Sequence, residues 1–121
     1  MTTKKTTYDF DAWDEAAEDA AIAEAAKAAD VRYIIVEGRL FVAKFPGGRI
    51  IETPLKISLA DIEAIQSETD DQIEQIKTLL AMLGQDDDLA YLAQESLTSV
   101  SIFAEKYFRV FARIAGAALG E

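Results

Sequence analysis

Residues 96–121 read SLTSVSIFAEKYFRVFARIAGAALGE. Leu97, Val100, Ala104, Tyr107, Phe111, Ile114 and Ala118 recur at alternating steps of three and four, which places them on one stripe of an α-helix. Phe103, Phe108 and Val110 lie beside the stripe and widen it, so the helix is apolar round much of its girth. Glu105, Lys106, Arg109 and Arg113 supply what polar face there is. A helix of this kind must be covered, either by the rest of its own chain or by a partner.

Helical patterns also fill the segment just before it. Ser58 with Asp61 forms a capping-box-like start for LADIEAIQS. Thr69 with Gln72 repeats the device; Ile73, Ile76, Leu80 and Leu83 then follow at helical spacing up to Gly84, a left-handed C-terminal cap. Asp86-Asp87-Asp88 opens a further short helix carrying Leu89, Leu92 and Ala93. Ser96 caps the last helix, which frays at Gly116 or Gly120.

Further upstream the pattern changes from helix to strand. VRYIIVEG, RLFVAKF and RIIET, between Val31 and Thr53, are β-branched and aromatic runs. Pro46-Gly47-Gly48 is a strong turn between the last two and Glu37-Gly38 a weaker one between the first two. Phe41, Ala43 and Phe45 point one way, Leu40, Val42 and Lys44 the other. The expectation is an antiparallel meander of two or three strands, which needs a cover on one face to be stable. Charge changes sign here too, since Arg32, Arg39, Lys44, Arg49 and Lys56 outnumber Glu37 and Glu52.

Asp11–Ala29 is rich in Ala, Glu and Asp, without Gly or Pro, and reads as helix, with Asp9 and Asp11 near its positive end. Its large apolar residues are Phe10, Trp13 and Ile22 alone, so it docks lightly if at all. Residues 1–30 are therefore expected as an acidic helical arm, peripheral or flexible, with Met1–Thr7 frayed. Residues 31–121 are expected to form a single α+β domain, mainly α: a meander at about 31–53, then three to four helices ending in the long aromatic amphipathic one.

Composition narrows the function classes. A chain of 121 residues holds one modest core, and half of its residues are hydrophobic. A net charge of -10 argues against a bare nucleic-acid surface, because phosphate contacts need an excess of Lys and Arg. It favours solubility and suits a partner that is basic or prone to aggregate. The chain has no cysteine, which excludes disulfides and thiolate metal sites, and no histidine, which removes the commonest general base and metal ligand. MTTKKTTYDFDAWDEAAEDAA lacks the apolar core of a secretory signal, and four charges between Glu105 and Arg113 argue against a bilayer span, so a cytoplasmic location is expected.

The candidate chemical sites are weak. Asp86-Asp87-Asp88 lacks the spaced ligands and central Gly of a calcium loop and reads as a solvated helix start. Pro46-Gly47-Gly48-Arg49 lacks the Lys-Ser/Thr and following helix of a phosphate loop and reads as a hairpin turn. Glu15 with Glu18 and Asp70 with Asp71 sit in charged segments with nothing to tune them. Ser96, Thr98, Ser99 and Ser101 have no base at hand. No catalytic residue, metal or cofactor is expected. The feature that stands out is aromatic: Phe103, Tyr107, Phe108 and Phe111, with Ile114 beyond them. They either fill the core against the meander and the Ile73–Leu83 helix or form part of a seam for another helix.

The order FPGGRI, PLKISLADIEAI, LLAMLGQDDDLAYL and the aromatic final helix closing on Leu119-Gly120-Glu121 resembles the tail assembly chaperones of long-tailed, non-contractile bacteriophages, particularly those of actinobacterial hosts. The likeness runs from Leu40 to Glu121, about two-thirds of the chain, and leaves the acidic N-terminal helix unmatched. It implies a non-enzymatic protein of the host-cell cytoplasm that coats the tape measure protein before the tail tube forms and is displaced by the major tail protein. It also implies a short form of a pair made by programmed frameshifting near the Gly-Glu end, self-association into a homo-oligomer, and no nucleic-acid or membrane partner. Partner-binding residues on this reading are Phe103, Tyr107, Phe108, Phe111 and Ile114. The alternatives are a structural, oligomerising virion protein (a head or tail completion subunit) and an acidic regulator acting through Asp9–Asp30.

Overall fold

The computed structural model describes residues 7–118 and 120. Expectations for Met1–Thr6, and for Leu119 and Glu121 of the closing tripeptide, lie outside them. The fold is α+β in the order α1 (Glu15–Ala28), β1 (Arg32–Val36), β2 (Leu40–Lys44), β3 (Ile50–Pro54), α2 (Leu59–Glu68), α3 (Gln72–Met82), α4 (Asp86–Gln94) and α5 (Leu97–Ala118).

The meander has three strands, paired antiparallel in the order β1-β2-β3. Glu37 and Gly38 both adopt left-handed backbone angles, φ 54° and 69°, and Arg39 N–H donates to the Val36 carbonyl at 3.0 Å. That is the two-residue geometry whose twist matches the strands it joins, so the weaker turn in the sequence makes the tighter hairpin. The Pro46-Gly47-Gly48 turn is closed by Phe45, whose N–H donates to the Arg49 carbonyl and whose carbonyl accepts from Gly48 N–H, each at 2.9 Å.

Register fixes what each face presents. Phe41, Ala43, Ile51 and Thr53 point inward and are fully buried. α5 lies against this face. Phe41 stacks on Tyr33 at 4.8 Å, meets the Tyr107 ring edge-on at 5.4 Å and packs against Phe103 at 6.1 Å. Phe45 joins Phe103 and Tyr91, each at 5.4 Å. Ile76, Leu79 and Leu80 from α3, Leu92 from α4 and Ile65 from α2 complete a continuous core.

Polar ties seat α5 at both edges of that core. Tyr107 Oη donates to the Pro54 carbonyl at 2.6 Å. Ser99 Oγ donates to the Ala29 carbonyl at 2.8 Å, and Lys106 Nζ reaches Asp30 Oδ1 and the Val31 carbonyl, each at 2.8 Å. The end of α1 is thereby clasped by α5, yet α1 itself buries no residue.

Cap chemistry follows the sequence at most ends. Ser58 accepts from Asp61 N–H, Ser96 Oγ accepts from Ser99 N–H, and Gly84 takes φ 73° after α3. Two starts differ from expectation. α1 is capped by Asp14, whose carboxylate accepts from Ala17 N–H at 2.8 Å, while Asp9 caps only a turn ahead of it. α3 is capped by Asp71, not Thr69; Thr69 Oγ1 instead accepts from Asp71 N–H, and its carbonyl is held by Gln75.

Candidate functional site

The aromatic and aliphatic set on α5 divides along the helix. Phe103 and Tyr107 are fully buried, inside the chain's own core. Phe108 and Phe111 are partly covered; Phe108 meets the Tyr107 ring edge-on at 5.2 Å. Ile114 is 42% exposed and Leu97, at the other end, 72%. The middle of α5 is thus closed by its own body, and apolar surface remains at its two ends.

At the first end, α3, α4 and α5 enclose an open groove of about 530 Å³. Ile73, Ala81, Leu89, Leu92, Leu97 and Val100 give it aliphatic walls. The Lys77–Glu74 pair, 3.2 Å apart, and Glu95 add charge along it. The groove exists because α4 is short. It runs only from Asp86 to Gln94, with Asp88 on Arg49 at 3.0 Å and Gln85 Nε2 on the Glu52 carbonyl at 2.9 Å, so its start is pinned to the β2–β3 turn. The chain then reverses through Glu95 and Ser96, and Leu97 emerges with nothing beyond it.

That reversal is locked by a second network. Tyr91 Oη donates to Glu95 Oε2, and the other Glu95 oxygen accepts from Ser96 N–H at 2.8 Å. Both hydrogen bonds hold the Glu95 carboxyl below its ordinary value, the Tyr91 bond most strongly. Partial burial, with the Glu95 charge, pushes the Tyr91 hydroxyl up to about 12. Tyr91 is therefore a neutral donor at physiological pH, with Arg49 over its ring at 5.1 Å.

At the other end of α5, a smaller groove of about 260 Å³ runs between the free edge of β1 and the helix overhang. Tyr33, Ile35, Val110, Arg113, Ile114 and Ala117 line it. Of the five residues singled out in the sequence, only Ile114 opens onto either groove; Ile73, Leu89 and Leu97 are the larger groove's contribution from residues read as ordinary helix faces.

The chemical candidates stay apart. Glu15, Glu18, Asp70 and Asp71 are exposed, and Asp71 is occupied as the α3 cap. Asp86 and Asp87 are solvated, while Asp88 is taken by Arg49 and Gln85. Among the described residues no three carboxylates, histidines or cysteines stand close enough to hold a metal ion, and no helix is long and apolar enough to cross a membrane. Compared with protein-family models, curated proteins and solved structures, the chain matches none.

Proposed function

We propose that this chain is a non-enzymatic assembly chaperone that holds the apolar face of an elongated helical partner and keeps it soluble. In the setting the sequence resembles, the partner is the tape measure protein of a phage tail, bound in the host cytoplasm until the major tail protein replaces the chaperone. The observation that supports this reading is the uncovered aliphatic groove between α3, α4 and the start of α5. Helices recognised in grooves present apolar anchors at i, i+3, i+4 and i+7, and an open groove with aliphatic walls is the complement of such a stripe. A net charge of -10 supplies the solubility that the complex needs.

The test is co-expression with the tape measure protein of the same genome. Leu97→Glu places a charge in the groove at a position that carries no core load, so the chain still folds. The tape measure protein is expected in the soluble fraction with the native chain and in the pellet with Leu97→Glu. Equal solubility with and without the native chain overturns the reading. The apolar outer face of the sheet, with Ile34 and Ile50 uncovered, favours one other role, an oligomerising subunit retained in the particle. Mass spectrometry of purified virions separates the two, since a chaperone is missing and a subunit is present in fixed copy number.

A further inference from the structure

Two uncovered surfaces share no residue with the α3–α4–α5 groove, and their chemistries are opposite. The first is the outer face of the sheet. Register sets Arg32 directly opposite Lys44, with Ile50 next in that row, and Ile34 opposite Val42 in the row beside it. Ile34 is 63% exposed and Ile50 52%, and with Arg32, Lys44 and Val42 they line a shallow depression of about 220 Å³. Like charges directly opposite across a strand pair repel. Neither Arg32 nor Lys44 makes an ion pair among the described residues, and Glu52 is the one carboxylate that the strands point to this side. A face built this way fits an occupant that is both apolar and anionic.

The second surface is the N-terminal arm. In YDFDAWDE, Tyr8, Phe10 and Trp13 alternate with Asp9, Asp11, Asp14 and Glu15. Phe10 is 83% exposed and Trp13 55%, and the hollow they form is lined only by residues 7–13 of the arm itself. From Tyr8 to Asp30 the chain carries eight carboxylates against Lys27 alone.

We infer that the acidic, aromatic segment Tyr8–Glu15 of one copy docks on the outer sheet face of a second copy, with Phe10 and Trp13 against Ile34, Val42 and Ile50 and the aspartates on Arg32 and Lys44. Length argues for a second copy over the chain's own sheet. α1 has no Gly or Pro and is clasped at Ala29 and Asp30. At ~1.5 Å per residue α1 puts Glu15 about 21 Å from that clasp, with Trp13 two residues before it, whereas a five-residue strand spans about 17 Å. Folded back, the rod would take its aromatics past the end of its own strands. The contact joins two different surfaces, so each copy keeps a free arm and a free face, and association propagates into a ring or an open chain. This contact stands independently of the groove and its partner helix.

Trp13 is the only tryptophan, so its emission reports the contact directly in the full chain. On raising protein concentration, emission shifts to the blue and the sedimentation coefficient rises in step; added salt reverses both. Lys44→Glu, at an exposed site, weakens association roughly tenfold or more. Complementation gives the sharpest readout. A Lys44→Glu copy keeps its arm, and a Phe10→Ala/Trp13→Ala copy keeps its face. Mixed, they form a two-copy complex, and the Trp13 emission of the first shifts blue. Three outcomes overturn the inference: Trp13 emission that stays solvent-like at every concentration, a blue shift that does not depend on concentration, or association that Lys44→Glu leaves unchanged.

Discussion

α1 and α5 are both unbroken helices, and they do opposite things with that regularity. α5 buries Ser99, Val100, Phe103, Ala104, Tyr107 and Val110; α1 buries nothing. Propensity alone ranks α1 higher, since it is mostly alanine and glutamate. What separates them is side-chain size at helical spacing. Methyl groups remove little area from water, at about 25 cal/mol per Å², whereas a buried aromatic side chain brings 150–250 Å² with it. Helix formation and helix docking are distinct properties, and only the second holds this domain together.

The largest effect expected of that contrast is at Phe103. Phe103→Ala empties a site that Phe41 and Phe45 share and should cost about 3–5 kcal/mol in urea unfolding. Ile22→Ala, the corresponding loss of a large side chain from α1, should stay within about 0.5 kcal/mol. Similar costs at the two sites would erase the distinction. Tyr107→Phe keeps the ring and removes its bond to the Pro54 carbonyl, so a loss of about 1–3 kcal/mol is expected by the same measurement.

A gain is expected close by. Thr53 is fully buried and its hydroxyl has no partner among the described residues, so Thr53→Val should stabilise by about 1 kcal/mol. Ala21→Gly tests the arm from its own side. It should weaken α1 by about 1 kcal/mol, read as faster amide exchange there, and leave the global midpoint unmoved.

The smallest effect concerns pH. Lys106 holds the Asp30 carboxyl below its ordinary value of 3.8, chiefly through their hydrogen bond, and Tyr91 does the same for Glu95 below 4.5. Lowered values in the folded state mean a contribution fully present above the ordinary values and lost as pH falls through the folded ones. Acidification below about 4.5 should therefore loosen the α1–α5 clasp and the α4–α5 reversal. Asp30→Asn with Glu95→Gln should flatten that acid limb slightly, Asp30 being exposed and Glu95 only partly buried.

Much of this was legible in the residues. The meander, read as two or three strands, has three, and the acidic helix followed by three or four more is five helices in all; these elements and the inward set of Phe41, Ala43 and Phe45 follow from periodicity and turn chemistry. Periodicity assigns a residue to a stripe, however, and says nothing of how far the covering elements reach. Leu97 sits on the stripe of α5 and is exposed because α3 and α4 leave a gap there; Val110 was placed beside the stripe and is buried. The caps show a second limit. Thr69 and Asp71 both carry acceptors two positions apart; Asp71 takes the Ile73 N–H, while the Thr69 hydroxyl takes the Asp71 N–H and its carbonyl the Gln75 amide, a division that spacing alone does not reveal. The outer face of the sheet did leave a signal, since Ile34, Val42 and Ile50 make both faces of the strands apolar, the pattern of a sheet covered on two sides.

The clasp of Ser99 and Lys106 on Ala29, Asp30 and Val31 joins positions some seventy residues apart. During synthesis the strands leave the ribosome long before the helix that shelters them. At 5–20 residues per second, roughly 3 to 11 s separate Pro54 from Val110. Through that interval Phe41 and Phe45 lack Phe103, and Phe41 lacks Tyr107, so the nascent sheet carries an inner face that only α2, α3 and α4 can begin to cover.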